Sequence, residues 1–214
     1  MTDDPHQIVE LRQNTPCAGQ RDELIELIDT NFVETKDAPP WSAAMSAGYV
    51  GAAHDFAFLV GQFTVTNRRL LERRVGSQDW DVFAGTFTGT EMLHGILSID
   101  EMNVPERGFS GSSIRTLDVE LRRWSIYWIN SNSGQLQPPV HGGFNEDRGV
   151  FEGHDIDIEH PVIARFSWRR HLTAPVWSQA FSYDEGRSWE TNWIMEFNRV
   201  PAPALPDHTS NEPN

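Results

Sequence analysis

One cysteine in 214 residues, Cys17, excludes an intrachain disulfide, and with it the stapled scaffolds of small secreted domains. No apolar run approaches the roughly 20 residues that a membrane-spanning helix needs. The N-terminal Met1-Thr-Asp-Asp-Pro5 is acidic and lacks the basic start and apolar stretch of a secretory signal. Basic residues are scarce, with 17 Lys and Arg against 31 Asp and Glu and a formal charge of −14. Such a surface repels phosphate backbones and anionic lipid, so no nucleic-acid and no membrane partner is expected. The location these features favour is a reducing cytoplasm. Catalytic signatures are also missing. There is no Gly-x-Ser-x-Gly elbow, a lone cysteine in a turn is most often inert, and the glycines of Phe109-Ser-Gly-Ser-Ser113 and His141-Gly-Gly143 lack the strand-to-helix context of a phosphate loop.

Present instead are eight tryptophans and 16 glycines with few helical stretches, which points to an aromatic-rich β architecture. The clearest element is a hairpin over residues 177–197, in which two alternating runs flank a turn holding Asp184, Gly186 and Ser188. Strict alternation puts Trp177, Gln179, Phe181 and Tyr183, then Trp189, Thr191, Trp193, Met195 and Phe197, on one face. Glu190, Asn192, Ile194 and Glu196 fall on the other. Upstream, a short apolar turn entering a long strand over 56–70 and further strand segments at 80–90, 92–102, 112–117, 123–130, 135–142, 149–156 and 162–168 are separated by turns such as Asn132-Ser-Gly134 and Asn145-Glu-Asp-Arg-Gly149. About ten strands at regular spacing make an up-and-down antiparallel barrel the expected fold of residues 55–200.

Residues 1–35 differ in character. Gln7 to Arg12 alternates as a short strand, and residues 21–33 carry Leu24, Ile25, Leu27, Ile28 and Phe32 at helical spacing, a β-α unit. Ile8-Val-Glu-Leu-Arg-Gln13, Gly19-Gln-Arg-Asp-Glu-Leu-Ile-Glu-Leu27 and Phe32-Val-Glu-Thr35 together resemble the opening of a NIPSNAP-family domain, here truncated. The resemblance implies an appendage that docks or forms a homodimer. Residues 36–54, with Pro39-Pro40 and a tract of Ala, Gly and Ser, read as a linker, and residues 201–214 as a disordered proline-rich tail. Asp55-Phe-Ala-Phe-Leu-Val-Gly61, Arg123-Trp-Ser-Ile-Tyr-Trp128 and the run from Phe181 through Asp184, Trp189-Glu-Thr-Asn-Trp-Ile-Met-Glu-Phe197 to Arg199 resemble an uncharacterised bacterial family of calycin-like (lipocalin-like) barrels over about residues 55–199. The resemblance implies the fold and a ligand cavity, and brings no catalytic residues with it.

A barrel of this size can enclose a small cavity lined by alternate residues of every strand. If the polar row of the hairpin faces inward, Glu190, Asn192 and Glu196 join groups such as Tyr127, Gln179, Arg165 and His94, and an inward carboxylate could act as a general acid or base. If the row faces water, Trp193, Met195 and Phe197 fill the interior, which is the ordinary polarity of a water-soluble sheet. Trp124, Trp128, Trp168 and Trp177 could stack a planar ligand or simply form core. No metal is expected: His154 and His160 on one strand would lie about 20 Å apart, and Asp155, Asp157 and Glu159 read as a solvated loop or a weak calcium site. No cofactor is expected either, although His94 or His171 would be the candidates for an axial haem ligand. The leading expectation is a barrel binding a small apolar or aromatic molecule through Trp128, Arg165, Gln179, Asn192 and Trp193. One alternative is an acid/base isomerase, cyclase or lyase using Glu190 and Glu196 with His94 or Tyr127. The other is a dimeric interaction protein.

Overall fold

The computed structural model describes residues 48–201; the β-α unit and most of the linker and tail lie outside them. Ten strands follow in order: β1 (Gly61–Leu70), β2 (Trp80–Met92), β3 (Leu97–Val104), β4 (Phe109–Asp118), β5 (Arg123–Asn130), β6 (Val140–Asn145), β7 (Arg148–Asp157), β8 (His160–Arg169), β9 (Val176–Ser182) and β10 (Glu190–Arg199). Each pairs antiparallel with its neighbours in sequence, and β1 pairs with β10, so the sheet closes into an up-and-down barrel. The closing ladder runs from Phe63 opposite Arg199 to Arg69 opposite Trp193. Closure leaves no unpaired edge on the sheet. Period-two patterning explains the strands: in β2, Phe83, Gly85, Phe87 and Gly89 are buried while Val82, Ala84, Thr86 and Thr88 are exposed. Among the described residues, no helix is long and apolar enough to cross a membrane.

One end of the barrel is closed by its own chain. Residues 50–60 run across it, and Phe56 and Leu59 are fully buried with Phe58 beside them. Phe56 stacks edge-on against Trp124 and Phe144, at 4.9 and 5.2 Å between ring centres. Asp55 ties this segment down by accepting from the Ala52 amide (2.7 Å), the Trp124 indole (3.0 Å) and the Arg170 guanidinium (2.6 Å). From β10, Arg199 donates to the carbonyls of Phe58, Val60 and Leu172. Gly89 makes the close approach feasible: a Cβ there would lie 2.3 Å from the Leu59 carbonyl oxygen.

At the other end the loop of residues 71–79 acts as a strap. Its Arg73 grips Asp157 through Nε (3.0 Å) and Nη2 (2.5 Å), and the Tyr183 hydroxyl donates to the same carboxylate (2.7 Å). Asp157 is on β7, which is separated from β1 by β10, β9 and β8, so the strap reaches far round the rim. Burial pushes the Asp157 carboxyl up, but the hydrogen bonds from Arg73 and Tyr183 outweigh it and hold the group below its usual range. Burial and the neighbouring carboxylate raise the Tyr183 phenol.

The β9–β10 turn is organised by Asp184, which accepts from the amide and hydroxyl of Ser188 (2.8 and 2.6 Å) and from the Ser182 hydroxyl (2.9 Å). The Ser188 bonds are the main reason its carboxyl falls from 3.8 to about 2. Because the folded value is the lower one, the turn's stabilisation is present above 3.8 and is lost as pH falls through about 2. Carboxyl NMR titration is expected to place the Asp184 midpoint near 2, and higher in Ser188→Ala, which removes the hydroxyl bond but keeps the residue-188 amide and the Ser182 hydroxyl. A wild-type midpoint at the ordinary value would contradict this geometry.

Three elements depart from the periodic reading. Residues 92–102 are not one strand: Leu93 and His94 take left-handed conformations, with φ of 51° and 55°, and break the run into β2, a tight turn and β3. β6 begins at Val140 rather than residue 135, because Pro138 and Pro139 have no amide to give a ladder. In β10 the register to β9 shifts between Thr191 and Trp193. This bulge at Asn192 inserts one residue and reverses the phase on its N-terminal side.

Candidate functional site

The interior is lined by pairs of residues two apart on six strands, as alternation requires: Asp100 and Met102, Ser113 and Arg115, Ile126 and Trp128, Phe166 and Trp168, Trp177 and Gln179, Trp193 and Met195, with Phe87 added from β2. They surround a cavity of about 50 Å³. A water needs roughly 10–15 Å³, so the space takes a few waters and is smaller than the roughly 150 Å³ known to admit benzene. The barrel is therefore mostly filled by its own side chains, and the aromatic face of the hairpin is the one that points in.

Six of the thirteen lining residues are aromatic. Trp193 meets Trp177 and Trp128 edge to face, at 5.6 and 6.4 Å, and Phe166 packs on Trp177 at 5.1 Å. Two buried amides hold this wall in place. Trp193 Nε1 donates to Asn67 Oδ1 (3.0 Å), and Gln179 Nε2 donates to Asn192 Oδ1 (2.8 Å). Arg69 covers the Trp193 ring from the rim, 5.1 Å from its centre. Trp128 is only half-buried, and its indole lies against Gly111, where a Cβ would come within 2.0 Å of Cη2.

The floor carries one ion pair. Arg115 (2 % exposed) and Asp100 (4 % exposed) pair through Nη2 and Oδ2. Asp100 Oδ1 accepts the Ser113 amide (3.2 Å), and Arg115 Nη1 reaches Ser98 Oγ at 3.4 Å. The guanidinium stands over Phe56 at 4.9 Å and near Trp168 at 5.9 Å, while its Nε has no hydrogen-bond partner. Burial pushes the Asp100 carboxyl up, and Arg115 and Ser113 pull against it. Apolar residues of similar volume are often as stabilising as a buried ion pair or more so. A pair of this kind facing a cavity is a candidate for recognition chemistry.

Of the residues singled out from sequence, Trp128, Gln179 and Trp193 line the cavity, and Asn192 stands directly behind Gln179. Arg165 is elsewhere: it pairs with Glu152 (2.6 Å) and lies 3.6 Å over the ring of Trp189. Glu196 pairs with Arg68 (3.1 Å) across an exposed surface. Glu190 accepts the Arg74 amide at the strap (3.0 and 3.1 Å), His94 is exposed in the β2–β3 turn, and Tyr127 alternates with the inward Ile126 and Trp128. These four are not brought together. Asp100, Ser113 and Arg115 were not singled out. The phase of Ser98, Met102 and Val104 places Asp100 inward, but β4 disguises its own polarity by setting Ile114 outward and Ser113 and Arg115 inward. Among the described residues, no three His, Cys, Asp or Glu side chains are grouped to hold a metal ion. Comparison of the sequence with protein-family models and with curated proteins finds no match.

Proposed function

We propose that the barrel binds a small, largely apolar or aromatic molecule between Trp128, Trp168, Trp177 and Trp193. The observation that carries this reading is the interior cavity with four tryptophans around it and an ion pair at its floor. Such a wall provides apolar area, and a few polar groups provide orientation. The volume sets the size at about one ring, and even that requires the wall to move. Trp128 is the side chain with freedom to do so, being half-buried against a glycine. The ligand enters from the strapped end, because the other is occupied by Phe56, Phe58 and Leu59. The resemblance to calycin-like barrels is consistent with this role, and a cytoplasmic location and a homodimer are proposed with it.

An acid/base enzyme is the second reading, and Asp100 is the observation behind it, since its carboxyl lines the cavity and is raised by burial. Its engagement with Arg115 and Ser113 favours binding over proton transfer. Native mass spectrometry of full-length protein purified from its own host, compared with a denatured sample, tests the proposal. The expected result is a small-molecule increment that denaturation removes. A clean mass, combined with no calorimetric binding of one-ring probes, contradicts it.

A further inference from the structure

We infer that the ligand is an uncharged aromatic compound bearing a hydrogen-bond acceptor oxygen, a ketone or aldehyde in its simplest form, and that the Arg115 guanidinium reads that oxygen. The inference rests on the cavity being a binding site, as proposed above.

Charge in the cavity is already matched, one cation to one anion, with Arg115 and Asp100 as the charged residues of its wall. A ligand carboxylate would place two anions against one cation in a space of low dielectric, and a ligand ammonium would do the reverse. Either arrangement penalises the charged form of one group. A neutral ligand leaves the pair intact. What the pair leaves open is donor capacity. A guanidinium has five N–H groups and no acceptor. Arg115 directs Nη2 at Asp100 and Nη1 at Ser98 over a long 3.4 Å, and Nε meets nothing. Asp100 accepts the Ser113 amide on Oδ1, and its Oδ2, without a hydrogen bond, faces the Arg115 Nη2 charge. Arg115 Nε, which meets neither a hydrogen-bond acceptor nor an anion, is thus the group at the floor left with nothing opposite it, and such a donor is met by an oxygen on the ligand. Phe56 and Trp168 hold the guanidinium from the side, so its position is set before the ligand arrives.

Calorimetric titration of the full chain with four one-ring probes of similar size, acetophenone, ethylbenzene, benzoate and benzylamine, tests the assignment. Acetophenone is expected to bind about tenfold or more tightly than ethylbenzene, the usual scale for a hydrogen bond to a charged group, and more tightly than either charged probe. In the double variant Arg115→Met/Asp100→Leu the preference for the ketone over ethylbenzene is expected to vanish. If that variant does not fold, the carbonyl stretch of acetophenone bound to wild type is the second readout, expected below its position in hexane. Equal affinity for acetophenone and ethylbenzene, tightest binding by benzoate or benzylamine, or an unshifted carbonyl band overturns the inference and leaves the cavity as a binding site. Failure of all four probes to bind overturns the underlying reading as well.

Discussion

Replacing Arg115 with methionine is expected to destabilise the protein by roughly 3–5 kcal/mol at neutral pH, read as a lower urea midpoint. The cause is the partner left behind. Asp100 is buried among aromatic side chains, and without Arg115 its carboxylate loses the charge that opposes desolvation. The double variant Arg115→Met/Asp100→Leu is expected to recover most of the loss, because neither charge then has to be buried. The pH dependence has a definite sign. The folded-state pKa of Asp100 is already raised above 3.8, and removing Arg115 raises it further. In the variant, the stability associated with the protonated carboxyl is present below 3.8 and is lost as pH rises through the higher folded value. The deficit relative to wild type therefore grows with pH across the acidic range. A single variant as stable as wild type, or a double variant no better than the single, would mean that the pair does not carry the electrostatics described.

The second large effect is at the same closed end, where Asp55 precedes the Phe56 that lies under Arg115. Asp55→Ala is expected to cost about 2–4 kcal/mol, since it strands the Ala52 amide and the Trp124 indole and unpairs Arg170. Trp124 is fully buried and Phe56 rests on it, so residues 50–60 should loosen together. Hydrogen exchange is expected to accelerate at Val50 and Leu59, whose amides bond Phe144 and Phe56, and to stay slow in β7 and β8. Unchanged exchange at Val50 and Leu59 would show that the segment is held by apolar packing alone.

The parts of the fold that follow ordinary alternation were legible from the residues. In β9 and the C-terminal half of β10 the positions Trp177, Gln179 and Phe181, then Trp193, Met195 and Phe197, separate one face from the other, and the structure settles that this face points inward. Where the structure inserts a residue, alternation misleads. The bulge at Asn192 buries a side chain that strict period two assigns to the same face as Glu196, and one residue of shift separates Glu190, Asn192 and Glu196 into three environments. The site was legible in its aromatic half and hidden in its polar half. Trp128 and Trp193 announce themselves as large apolar residues in alternating runs. Arg115 does not, because a buried arginine looks like a surface residue until its partner is known, and Asp100 is brought to it on the preceding strand, opposite Ser113, only by the register of the β3–β4 pair. Pairing across strands is a property of register, which a single sequence specifies only through the fold.

The most direct test is an NMR titration of the full chain with acetophenone, following the indole N–H resonances of its tryptophans. The account predicts saturable shifts at Trp128, Trp168, Trp177 and Trp193, which line the cavity, and little change at Trp124 and Trp189, whose indoles are bonded to Asp55 and to the Gly186 carbonyl. Shifts confined to Trp189 or Trp80, or none at millimolar ligand, would place binding outside the barrel or nowhere, and the interior would then be a packed core.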